Sequence, residues 1–192
     1  MGYPVSDMSP GELAAAALRR AGFVMERGLS SAEVAELEHA FGLLFGEDHR
    51  DFLAAGVPVG QWWVDWRGDR RSLAGRIDEP IIGVLAHVVP GGFWPSDWGL
   101  RPGDEGEALR IAEAQVRTWP KLTPIYSHRF SIGGALSGSA VLSASGTDVI
   151  EYGPDIAFYV SHEFGLEPLA ISGFGSSSQV DLVYPWLSLD HL

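Results

Sequence analysis

The sequence predicts one α+β domain in which helices pack around a central mixed or antiparallel sheet. Three observations carry this. Segments with serine or aspartate caps and apolar residues at helical spacing recur at 10–21, 29–55, 104–118 and 155–164, the pattern of amphipathic helices. Short runs rich in β-branched residues fall at 81–89, 122–130, 140–143 and 147–152, of strand length rather than helix length. No repeat, linker or second domain divides the 192 residues, a length at which one domain buries a substantial core. Residues 1–8 are expected to be loose, and 9–192 to form the domain.

Taken in order, Ser9-Pro10-Gly11-Glu12 is a capping box with proline at the first helical position. A helix over 10–21 follows, with Leu13, Ala17 and Leu18 on its apolar side and Gly22 as its stop. Phe23-Val24-Met25 is an apolar link into the best-patterned stretch, 29–59, which reads as two short helices. Ser30 and Glu33 make a second capping box, and Gly42 ends the first helix. Glu47 and Asp48 sit in the first turn of the next helix, where negative charge suits the helix dipole. Phe41, Leu44, Phe45, Phe52 and Leu53 are expected in the core.

Trp62, Trp63 and Trp66 then cluster with Arg67, Arg70 and Arg71. They read either as a partner surface, since Trp and Arg are favoured at binding hot spots, or as core tryptophans beside solvated arginines. The run IIGVLAHVV at 81–89 reads as a central strand, with His87 a hydrogen-bonded core residue. The loop at 90–99 holds Phe93, Trp94 and Trp98 and is too apolar to lie free in water. A helix over 104–118 carries Leu109, Ala112 and Val116 as its stripe. A strand is expected over 122–130, a glycine-rich turn over 131–138, and a hairpin from 140–143 and 147–152 around Ser145-Gly146. The helix over 155–164 turns Ile156, Tyr159, Val160 and Phe164 inward. In the tail, 173–178 reads as loop and 180–184 as a last strand, and Pro185-Trp186-Leu187 docks the C-terminus.

The formal net charge of −12 argues against a nucleic-acid backbone or an anionic membrane as partner. It permits a basic protein partner. No run of about 18 apolar residues is present to span a membrane. The first twelve residues lack the basic and apolar regions of a signal peptide. With no cysteine there is no disulfide, thiol nucleophile or thiolate zinc ligand, and the expected compartment is the cytoplasm. Twelve arginines against one lysine, with no asparagine, point to a GC-rich genome.

Catalytic motifs fail one by one. His162-Glu163 begins an HExxH zinc motif, but Leu166 stands where the second histidine belongs. Residues 134–138 have the wrong spacing for a G-x-S-x-G elbow, and Gly173-x-Gly175 lacks the third glycine of a dinucleotide loop. No cofactor and no metal are expected. A scattered polar set remains: His128, Arg129, Asp148, Asp155, His162 and Glu163. If the strands around 128 and 148 are neighbours, His128 and Asp148 form either a hydrogen-bonded strand fastener or an acid/base unit. The enzyme alternative is a hydrolase or metal-dependent enzyme using His128, Asp148 and His162.

Set side by side, five segments resemble the SUKH superfamily, the group related to the yeast cell-wall-synthesis regulator Knr/Smi, and within it the stand-alone actinobacterial members. They are LSSAEVAELEHAFGLLFGEDHRDFLAAGVPVG (29–60), GGFWPSDWG (91–99), PIYSHRF (124–130), TDVIEYGPDIAFYVSHEF (147–164) and YPW (184–186). Two places depart from the pattern: Val89-Pro90-Gly91-Gly92 replaces an acidic-His-Asn-Gly run, and Gly46-Glu47-Asp48 replaces Pro-Pro-Asp. The resemblance implies the same α+β architecture and a non-enzymatic role. It points to an immunity-type protein that binds and neutralises a toxin, or to a regulatory scaffold like the yeast relatives. With the acidic charge, it makes a basic toxin domain the expected partner. The expected binding surface comprises Trp62, Trp66, Trp94, Asp97, Trp98, Arg129, Tyr152 and Asp155.

Overall fold

The computed structural model describes residues 7–89, 92–167 and 185–191. Six helices and six strands run in the order α1 (Pro10–Arg20), β1 (Met25–Glu26), α2 (Ser31–Phe41), α3 (Glu47–Ala55), β2 (Val57–Pro58), α4 (Arg70–Val88), α5 (Glu105–Val116), β3 (Leu122–Tyr126), β4 (Arg129–Ile132), β5 (Val141–Ser145), β6 (Asp148–Gly153) and α6 (Ile156–Glu163). Short 3-10 turns lie at Ser96–Trp98 and Ser188–His191, and residues 185–187 are helical.

Both capping boxes form. The Ser9 hydroxyl accepts from the Glu12 N–H while the Glu12 carboxylate accepts from the Ser9 N–H, and Ser30 and Glu33 repeat the arrangement. Each such cap stabilises its helix by about 1 kcal/mol. Gly42 closes α2 in the left-handed conformation, with φ 56°. Helix α1 packs on α3, which has no side-chain cap, and on α6.

Strands β3 to β6 form a four-stranded antiparallel meander, and β1 pairs with β2 in a separate two-residue ladder. The meander carries buried side chains on both faces, with Asp148, Ile150 and Glu151 exposed on the edge strand β6. Val141 and Leu142 are adjacent on β5 but enter different core clusters, as the alternation of a pleated strand requires. Ile125 and Val141 join the core of α1, α2, α3 and α6; Leu122, Phe130, Ile132, Leu142 and Val149 join the core of α4 and α5.

Several expectations are corrected. Residues 81–89 are not a strand: through Val88 they are the second half of the 19-residue helix α4. Leu73, Ile77, Ile81, Val84 and Val88 form its buried stripe, while Ile82 between them is 58% exposed. The apolar run is one helical face plus an exposed isoleucine, and a run this short does not separate the two periods. Pro80 lies inside the helix, and Gly83 lets it cross the β5–β6 turn, where an added Cβ would stand 3.1 Å from Gly146 Cα.

The expected strand over 122–130 breaks at Ser127-His128 into the hairpin β3–β4. Leu44 is 60% exposed rather than core, because the connector after Gly42 turns it outward while Leu43 and Phe45 are buried. Trp186 docks as expected: its indole N–H donates to Pro120 O at 2.8 Å and its ring meets Trp119 edge-on. The expected loop at 173–178 and strand at 180–184 lie outside the described residues, as do residues 1–6 of the expected loose N-terminus.

Candidate functional site

The site begins where α4 does. Asp69 caps the helix, its carboxylate accepting from the Ser72 N–H at 2.8 Å and the Ser72 hydroxyl at 3.0 Å. These hydrogen bonds hold the Asp69 carboxyl below its ordinary range. Between this helix start and the preceding tryptophan segment runs an open groove of about 480 Å³, lined by Trp62, Trp63, Asp65, Asp69, Ser72 and Arg76 together with Val64 and Leu73.

The three tryptophans divide the work. Trp66 is buried, edge-on to Phe45 at 5.0 Å and to His49 at 5.9 Å. Trp63 is half-buried, stacked on Phe164 at 5.4 Å and against Tyr126 at 4.7 Å. Trp62 remains 60% exposed. Its backbone is strained, with φ 73°, and the one other non-glycine residue at positive φ among those described is Ser127, at 46°. The two are joined: the Ser127 N–H donates to Trp62 O at 3.0 Å, and the Arg76 guanidinium donates to Ser127 O from the far side. A bulky residue at positive φ is a genuine outlier, and such strain persists only where its surroundings over-determine it.

The lining keeps negative charge. Arg76 is paired with Glu79, and Arg67 with Glu33 and Glu26. Asp65 accepts one hydrogen bond, from the Arg67 N–H to Oδ1 at 3.1 Å, and among the described residues no donor reaches its Oδ2.

A second polar cluster lies across the sheet. Arg129 is buried, its guanidinium 3.8 Å from the centre of the Tyr152 ring and bonded to Ser143 Oγ at 3.1 Å, with Glu163 at 3.6 Å. Tyr159 is fully buried beside it, and burial raises its hydroxyl far above the ordinary value. This is an internal network joining β4, β5, β6 and α6.

Of the eight residues expected to form one surface, the structure gathers few. Trp62 stands at the groove. Trp66 and Trp98 are core, because their rings fill the interior below the loops that carry them. Trp94 is half-buried, donating to Gly99 O and lying edge-on to Trp98, and Asp97 is exposed on the same loop. Arg129 and Tyr152 meet in the internal cluster. Asp155 is buried because it caps α6, accepting from the Phe158 N–H at 2.8 Å.

The expected approach of His128 and Asp148 fails, since β5 runs between β4 and β6 and two strand spacings amount to about 10 Å. His162 stacks on Phe158 instead. Among the described residues no hydrogen bond, ion pair or ring contact joins any two of His128, Asp148 and His162, and no group of three His, Asp or Glu side chains is placed to hold a metal ion.

Sequence reasoning missed Asp65, Asp69, Ser72, Arg76 and Ser127. The signal for the first helical turn was present as Asp69 three residues before Ser72, but α4 was not expected there. Compared with family models, with curated proteins and with solved structures, the chain matches none.

Proposed function

We propose that the chain is a non-enzymatic protein-binding module that acts by covering a surface of its partner, with the Trp62 groove as its contact. The observation that carries this is Trp62 itself. An indole left 60% exposed on left-handed backbone, its carbonyl held by a second strained residue, is kept at a backbone cost on the order of 1–3 kcal/mol. As an exposed aromatic anchor it has the character of an interface hot spot. The net charge of −12 favours a basic partner and fast, salt-sensitive association.

Within this reading the SUKH-like segments support an immunity-type role in the cytoplasm, neutralising a basic toxin domain. A regulatory adaptor of the same fold would differ only in the partner it holds. The test is affinity capture from extracts of the source cells, with the wild-type chain and the Trp62→Gly variant side by side. Glycine removes the indole and suits the backbone. A basic protein retained by the wild type and lost from the variant, with weaker retention at high salt, is expected. Capture that is the same on both chains refutes the reading.

A further inference from the structure

The charge balance of the groove specifies what it receives. Its one basic side chain, Arg76, is already engaged by Glu79 and by Ser127 O. Its two carboxylates, Asp65 and Asp69, are exposed and have no cationic partner among the described residues, none of which donates to Asp65 Oδ2. Trp62, 60% exposed, lines the same groove. A cation entering here meets a ring quadrupole and an unpaired carboxylate oxygen together, the combination that favours guanidinium, which stacks on aromatics and pairs with carboxylates in one plane.

We infer that the groove takes a single arginine side chain of the partner, laid against the Trp62 indole with Asp65 as its counter-charge. The inference rests on the protein-binding reading only for the source of that arginine; the groove's preference for a guanidinium is a property of this chain alone. It also gives the strained backbone a purpose, because φ 73° at Trp62 is what holds the indole over the groove and not in the core with Trp66.

The experiment titrates the full chain with N-acetyl-L-arginine methylamide and, separately, with N-acetyl-L-citrulline methylamide, a neutral isostere, following the indole N–H resonances of Trp62 and Trp63. The arginine probe is expected to give saturable shifts in the millimolar range and the citrulline probe none. Asp65→Asn keeps an acceptor for the Arg67 N–H but loses the charge, and weakens binding by about two- to five-fold, the size expected of one exposed charge contact. Equal responses to both probes, or an Asp65→Asn chain with an intact amide spectrum and unchanged affinity, overturn the inference. The two readings fail separately. Arginine binding without any Trp62-dependent partner sinks the proposed function alone. A Trp62-dependent partner indifferent to Asp65→Asn sinks the arginine site alone.

Discussion

Acid should unfold this protein through His49. The side chain is 2% exposed on α3, its Nδ1 2.6 Å from Ser131 Oγ, with Phe45 and Trp66 edge-on at 5.3 and 5.9 Å. Burial pushes the imidazole down from 6.5 to about 3. The unfolded chain therefore binds a proton that the folded chain refuses throughout that window. Stability from this group is fully present above pH 6.5 and is lost as pH falls toward 3.

Each pH unit inside the window costs up to about 1.4 kcal/mol. Between pH 7 and pH 5 the loss is therefore about 2 kcal/mol, a large share of a domain's 5–15 kcal/mol. Asp48 acts in the opposite sense. Burial raises its carboxyl above 3.8, so it favours the folded state as pH falls into that range and blunts the slope near pH 4. The assay is urea unfolding at half-unit pH intervals from 7 to 4.5, for the wild type and His49→Gln. Only the pH slopes are compared, so a uniform packing loss in the variant does not matter. The wild-type curve should fall by about 2 kcal/mol more than the variant's over pH 7 to 5. Parallel slopes would refute the claim that His49 is held neutral by burial.

Other consequences are as direct. Trp62→Gly should raise the thermal midpoint, since relieving positive φ stabilises by about 1 kcal/mol; a lower midpoint would mean that the indole packs in the fold. Asp48 accepts from Ser137 Oγ and from the Gly138 N–H at 2.7 and 2.8 Å, so Asp48→Ala should cost about 2–4 kcal/mol and speed amide exchange selectively at Gly138. Gly146→Ala should cost more than about 1 kcal/mol, because the new methyl would stand 2.3 Å from His87 Cε1 on backbone at φ 64°; calorimetry checks this. Arg129→Met alone strands Glu163 and should cost about 3 kcal/mol or more, whereas the double variant with Glu163→Leu should recover part of that loss. Additive losses in that cycle would show the two side chains to be uncoupled.

What could be read in the sequence was whatever the local chain decides. The two capping boxes, the stop at Gly42, the β5–β6 hairpin and the docking of Trp186 depend on residues within a few positions, or on one large ring with no other place to go. What could not be read depends on partners distant in the chain. The run at 81–89 is ambiguous by itself, and only the packing of Ile81, Val84 and Val88 against α5 and the sheet selects helix over strand. Arg129 is expected from the sequence on a binding surface, yet Tyr152, Ser143 and Glu163 from three other elements receive it in the interior. The same holds for Asp155, whose burial follows from its place at the start of α6.

Within the tryptophan cluster, each ring has a different place in the fold. Three tryptophans within five positions share one composition signal, and it assigns none of them. Long-range contacts do. Phe45 from the α2–α3 connector and His49 from α3 take Trp66 into the core, and Tyr126 from the sheet and Phe164 at the end of α6 take Trp63 halfway. Trp62 is the remainder, and a remainder would be free to relax to ordinary backbone. It does not: the hairpin turn at Ser127 grips its carbonyl, and Arg76 of α4 grips Ser127 in turn. Two hydrogen bonds, one from the β3–β4 turn and one from α4 to that turn, thus fix the backbone at Trp62, whose indole stays exposed. That fixed, exposed indole is the physical ground on which the proposed contact is sited at this groove and not at the better-patterned helices that precede it.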